Sequence, residues 1–162
     1  MKIGVNSESA DGLFNPKDNI TREQFVKLVI EALDLTDETA KTALSDVDEN
    51  AWFYKYISSA EKCGVITGSD GKFGIGKNIT REDMAVIIKR AMELKGIDFS
   101  ENAGALFADN NAISDYAKSA VYGLKEFNII NGTGDNQFAP KGNATRAQAA
   151  KMIYEMIKVV NV

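Results

Sequence analysis

The chain of 162 residues contains no histidine. That absence removes the Ser-His-Asp and Cys-His triads, histidine zinc sites and the commonest general base. A single cysteine, Cys63, has no partner for an intramolecular disulfide and makes no thiolate cluster. No stretch of 18 apolar residues occurs, so no segment of this chain is expected to insert into a membrane. The first ten residues lack the apolar core of a signal peptide; if the protein is exported, its signal is expected outside this chain. Nineteen basic against 23 acidic residues give a net charge of −4, without the basic footprint of a nucleic-acid or anionic-membrane binder. An enzyme of this composition would depend on carboxylates, and no pair of them is singled out as a glycosidase pair would be.

What is present is ordinary globular composition, 44% apolar and 26% charged. The length suits one domain or a compact array of small repeats. Repetition is plain. Asn19-Ile20-Thr21-Arg22-Glu23-Gln24 recurs as Asn78-Ile79-Thr80-Arg81-Glu82-Asp83 and as Asn143-Ala144-Thr145-Arg146-Ala147-Gln148, with the threonines 59 and 65 residues apart. A loop carrying a phenylalanine precedes each copy: Asp11 to Pro16, Asp70 to Ile75 and Asp135 to Pro140. Gly64-Val65-Ile66-Thr67-Gly68 and Asn128-Ile129-Ile130-Asn131-Gly132 precede the last two loops. Two aromatic stretches come before those, Trp52 to Cys63 and Tyr116 to Phe127.

After each Thr-Arg pair the apolar residues follow helical spacing: Phe25, Leu28, Val29, Ala32 and Leu33, then Met84, Ile87, Ile88, Ala91 and Met92, then Ala149, Met152, Ile153, Met156 and Ile157. Thr21, Thr80 and Thr145 are suitable N-caps, and Gln24, Asp83 and Gln148 stand where a capping box needs its second member, Asp83 being short for the part. Each unit therefore reads as helix, turn, Gly-rich loop, capped helix, in an all-α fold with little strand. The first unit begins at its loop, so its aromatic helix is expected either upstream or from another molecule.

The threonines are explained by capping, the arginines less readily. Arg22, Arg81 and Arg146 occupy the first helical position, where a cation is disfavoured by a few tenths of a kcal/mol. An anion held between a guanidinium and open helix N–H groups would account for them. So would a salt bridge to a neighbouring unit that keeps the units in register. Trp52 and Tyr116 are either core residues or a stacking wall for a sugar. A phosphate loop at Gly71 to Lys77 fails because Asn78 follows the lysine and the helix starts later. A calcium loop at Asp46 fails at Ala51 and Ile57.

The order Asp-x5-Trp helix, Gly-Val-Ile-Thr-Gly turn, Gly-x-Phe loop and Ile-Thr-Arg-Glu helix resembles the S-layer homology domain. The resemblance gives the second half of one copy (1–35) and two full copies (43–98 and 105–160). It implies one pseudo-threefold module with a central three-helix bundle and grooves between lobes. It also implies an extracellular location on a bacterial cell wall, with non-covalent binding of a pyruvylated secondary cell wall polysaccharide. On that reading Arg22, Arg81 and Arg146 meet acidic groups. Thr67, Gly68 and Gly132 offer backbone N–H groups, while Trp52 and Tyr116 flank the sugar. No cofactor, metal or catalytic residue is implied. The alternative is a structural module that self-associates, or binds protein, through its incomplete first unit.

Overall fold

The computed structural model describes residues 14–100, 104 and 106–161. Met1–Leu13, which include the start of the first Gly-rich loop, and part of the linker before Leu106 lie outside them. Five α-helices form: α1 (Arg22–Ala32), α2 (Tyr54–Lys62), α3 (Arg81–Leu94), α4 (Asp115–Glu126) and α5 (Arg146–Val160), with a 3-10 turn at Asn110–Ala112 ahead of α4. Among the described residues there is no strand or sheet, as the period of the apolar residues predicts.

Helices α1, α3 and α5, which follow the three Thr-Arg motifs, all contact one another and form the centre. They are joined at their N-terminal ends by a closed ring of backbone hydrogen bonds. Ile20 N–H donates to Ala144 O (3.0 Å), Ala144 N–H to Ile79 O (2.9 Å) and Ile79 N–H to Ile20 O (3.0 Å). The three side chains are fully buried at this hub. The short apolar residue before each threonine is thus the point where the repeats meet.

The outer helices are placed differently from the order read along the chain. α2 packs on α1 and α4 packs on α3, so each aromatic helix lies on the capped helix of the preceding unit. Polar contacts fix these pairings: Tyr56 Oη donates to Glu31 Oε1 at 2.6 Å, and Glu82 on α3 accepts from Ser114 N–H at 3.0 Å at the start of α4. Among the described residues no outer helix covers α5. There Ala147 and Tyr154 are exposed, whereas Glu82, the counterpart of Ala147, is buried under α4.

Trp52 lies in the turn ahead of α2 rather than on the helix, while its counterpart Tyr116 is within α4. The caps behave largely as their side-chain lengths dictate. At Thr145 the box is complete, Gln148 N–H donating to Thr145 Oγ1 and Thr145 N–H to Gln148 Oε1. At Thr21 the return bond to Gln24 is made at 3.1 Å, but Thr21 Oγ1 is buried without a full hydrogen bond. At Thr80 the hydroxyl accepts from Asp83 N–H, yet the Asp83 carboxylate does not turn back to the cap and points elsewhere. An intact cap stabilises a helix by about 1 kcal/mol.

The second and third phenylalanine loops are each clasped by one aspartate. Asp46 accepts from Phe73 and Gly74 N–H at 2.7 Å and from Ile75 N–H at 3.1 Å. Asp109 accepts from Phe138 N–H at 2.8 Å and Ala139 N–H at 2.7 Å. The residue after the phenylalanine takes a left-handed backbone in all three loops, with φ of 46° at Asn15, 90° at Gly74 and 58° at Ala139. Phe73 and Phe138 are buried beneath their loops.

Candidate functional site

The helix-start arginines act across unit boundaries. Arg22 Nε donates to Phe73 O at 3.0 Å, Arg81 Nε to Phe138 O at 2.8 Å and Arg146 Nε to Phe14 O at 2.8 Å. Each guanidinium also lies over the ring of the same phenylalanine, at 4.9, 5.0 and 5.4 Å. Arginine and loop thus hold adjacent units in register. The expected partner was a carboxylate; a backbone carbonyl and an aromatic face serve instead, and among the described residues a carboxylate joins only at Arg22.

Five of the helix-start N–H groups are not open to a ligand, contrary to the expectation from the first turn. Arg22, Arg81 and Arg146 N–H donate to Lys77, Gly142 and Asp18 O at 2.9, 3.0 and 2.8 Å. Glu82 and Ala147 N–H are taken by Pro140 and Pro16 O. Inter-unit pairing consumes these donors, so anion binding here falls to side chains and turns.

Two grooves result. The Arg22 groove combines Thr67 and Gly68 of the turn with Asp83, Val86, Ile87 and Arg90 of α3 and with Tyr116 of α4. Its inner part holds about 100 Å³ and shares Arg22, Thr67, Asp83 and Tyr116 with a broader depression of about 1070 Å³ over the loop. Arg22 Nη1 pairs with Asp83 Oδ2 at 2.5 Å, and Tyr116 Oη donates to Asp83 Oδ1 at 2.8 Å. Tyr116 is 61% exposed, so it is no core residue. Burial, and then its bond to Asp83, push the Tyr116 hydroxyl above its ordinary value.

The Arg81 groove, about 280 Å³, is lined by Arg81, Asn131, Gly132 and Thr133 of the turn, and Gln148, Lys151 and Met152 of α5. No carboxylate is among its lining residues. Gln148 stands where Asp83 stands in the other groove, but its amide oxygen is committed to the cap of α5. Beyond Nε, the Arg81 side chain has no hydrogen-bond partner among the described residues. Burial lowers its pKa, with Asp109 behind the loop opposing, and a guanidinium remains charged under such conditions. Gly132 admits no side chain, because a Cβ would sit 2.9 Å from Gln137 O; at Gly68 it would meet Lys72 O at the same distance. Neither Gly68 nor Gly132 N–H has a partner among the described residues.

Of the residues singled out in sequence, Arg22, Thr67, Gly68, Asp83 and Tyr116 come together in one groove and Arg81, Gly132 and Gln148 in the other. Thr80 edges the broader depression. Thr21, Gln24 and Thr145 line neither groove, and Arg146 is engaged at Phe14. Trp52, 41% exposed, faces Lys27 Nζ on α1 at 5.6 Å. Sequence reasoning missed Lys151 and Arg90, and it missed the clasping role of Asp46 and Asp109. Burial pushes the Asp46 carboxyl up, but its three loop N–H bonds outweigh that and hold it below the ordinary value.

The sequence matches the S-layer homology domain over residues 7–26, 43–85 and 106–150. The chain belongs to the S-layer homology domain family. It is 38% identical over 149 residues to an amylopullulanase of Thermoanaerobacterium thermosulfurigenes, covering 91% of this chain and 8% of that protein. It is 38% identical over 152 residues to the exoglucanase XynX of Acetivibrio thermocellus, covering 93% and 14%. To the S-layer protein sap of Bacillus anthracis it is 31% identical over 154 residues, covering 94% and 18%. The chain thus spans less than a fifth of these relatives. Enzymes and S-layer proteins share this region, which identifies it as a cell-surface anchoring module and not a catalytic unit.

Proposed function

We propose that this S-layer homology module fastens an exported protein to the bacterial cell wall by holding an acidic unit of a secondary cell wall polysaccharide, such as a pyruvate ketal, in the Arg81 groove. One observation carries the reading: among the described residues the Arg81 Nη atoms have no hydrogen-bond partner, in a groove that also holds Lys151 and no lining carboxylate. A carboxylate placed there gains charge-assisted hydrogen bonds from the guanidinium and a further donor in Gly132 N–H. Recognition is local, since the chain as a whole is acidic. Units 1–35, 43–98 and 105–160 act together, because each groove needs an arginine from one unit and a turn from the next. Arg146 belongs to the third boundary, and Trp52, beside Lys27 of α1, offers a face for a sugar ring.

Calorimetry with isolated wall polysaccharide, before and after removal of its pyruvate, tests the reading. Binding that vanishes with the pyruvate supports it, and binding that survives unchanged overturns it. The face of α5 that no described helix covers, with Tyr154 57% exposed, favours self-association as a second reading. Light scattering that gives a monomer at every concentration removes that one.

A further inference from the structure

The two grooves differ in what they leave free, and that difference assigns them different sugars. Asp83 is too short to complete its own capping box, and its carboxylate reaches Arg22 instead. The charge that would draw an acid into the Arg22 groove is thereby neutralised from within. Oδ1 of Asp83 is held by Tyr116 Oη, and Arg22 Nε by Phe73 O. Arg22 Nη2 and the remaining lone pairs of Asp83 are left facing the groove, a donor and an acceptor side by side. Beside them stands the exposed ring of Tyr116, with Thr67 and Gly68 across the groove. Of the other cations of the lining, Arg90 is seven residues further along α3, about 10 Å down the helix axis, and Lys72 and Lys77 edge the broader depression, where Asp46 and Asp70 balance them.

We infer that the Arg22 groove takes a neutral, hydroxyl-rich sugar unit, while the Arg81 groove takes the acidic one. The inference rests on the anchoring function proposed above. Adjacent hydroxyls of a pyranose can donate to Asp83 and accept from Arg22, and the apolar face of the ring covers Tyr116. A carboxylate brought to the same place meets Asp83, and that repulsion makes the groove selective.

The test is an amide NMR titration of the intact chain with two probes, a methyl hexoside bearing a 4,6-linked pyruvate ketal and the same hexoside without it, each taken to its solubility limit. The amides of Thr67 and Gly68 report one groove and those of Gly132 and Thr133 the other. At Thr67 and Gly68 the unsubstituted sugar is expected to bind about tenfold more tightly than the ketal, with the order reversed at Gly132. Asp83→Gln, which supplies the residue found at the equivalent positions 24 and 148, is expected to free Arg22 and invert the preference at Thr67 and Gly68. Tyr116→Phe keeps the ring, loosens Asp83 and is expected to halve the discrimination. No response at Thr67 and Gly68 to the unsubstituted sugar, or equal affinity for both probes there, overturns the inference while leaving the Arg81 groove intact. Failure of the ketal probe at Gly132, with the Thr67 response retained, removes the anchoring proposal instead.

Discussion

Arg22 and Arg81 leave the same position of their helices, reach the same carbonyl of the next loop and lie over the same phenylalanine. They then meet different neighbours. Arg22 finds Asp83 and Tyr116. Arg81 finds Gln148, whose amide is busy with a cap, and Lys151. The scaffold bonds are common to both boundaries and use the backbone of the partner loop, so they tolerate change in its side chains. The groove chemistry hangs on the fourth residue of the helix-start motif. With glutamine there, the side chain closes the capping box and the guanidinium stays open. With aspartate the side chain falls short of the box and closes the guanidinium instead. A difference of one methylene and one charge therefore separates two boundaries that share one architecture.

The largest expected effect breaks the comparison at the loops. Asp46→Ala strands three backbone donors and Asp109→Ala two, so urea unfolding should show a loss of about 3 kcal/mol for the first and less for the second. Equal losses would mean that the loops hold themselves. The same aspartate predicts an acid response. The folded pKa of Asp46 lies below 3.8, so its contribution is complete above that value and fades as the pH falls through the folded one. Acid unfolding of Asp46→Asn should accordingly lack that part of the transition.

Glu82 offers the next contrast. It is 3% exposed and accepts from Ser114 N–H and Ser114 Oγ while pairing with Lys141 at 2.5 Å. Its counterpart Glu23 accepts from Gly76 N–H at 3.1 Å. Glu82→Ala should cost about 2 kcal/mol and Glu23→Ala about half that, measured by thermal unfolding. Smaller still, and of opposite sign, Ala139→Gly should stabilise by about 1 kcal/mol, because it relieves a left-handed alanine where the second loop already has Gly74. The least effect is reserved for binding. Lys151→Val, which installs the residue found at Val86, should weaken polysaccharide affinity by about fivefold, leaving the melting temperature unchanged.

Much of this was legible in the sequence, for identifiable reasons. The three capped helices carry full amphipathic periods and N-cap residues, so both class and boundaries followed. Thr67, Gly68 and Gly132 stood out because their turns recur ahead of the last two loops and the family resemblance points to them. Three things were hidden. The packing of α2 on α1 and α4 on α3 is a long-range choice that no local pattern encodes. The occupation of helix N–H groups by Lys77, Gly142 and Asp18 carbonyls depends on backbone positions and leaves no side-chain signature. Lys151 reads as one more solvated lysine until Arg81 is brought opposite it. The shortness of Asp83 was visible, but its consequence, a carboxylate released towards Arg22, needed the neighbouring unit in place.

The ring formed by Ile20, Ile79 and Ala144 has a mechanical meaning. In a string of independent beads a pull loads one joint after another, and the weakest yields first. Here the first unit is bonded directly to the third, so the three boundaries form a loop rather than a line. Separating any two central helices strains both other seams at the same moment, and the load is divided among bonds acting in parallel. For a cell-surface anchoring module, resistance to tension is thus built into backbone closure itself.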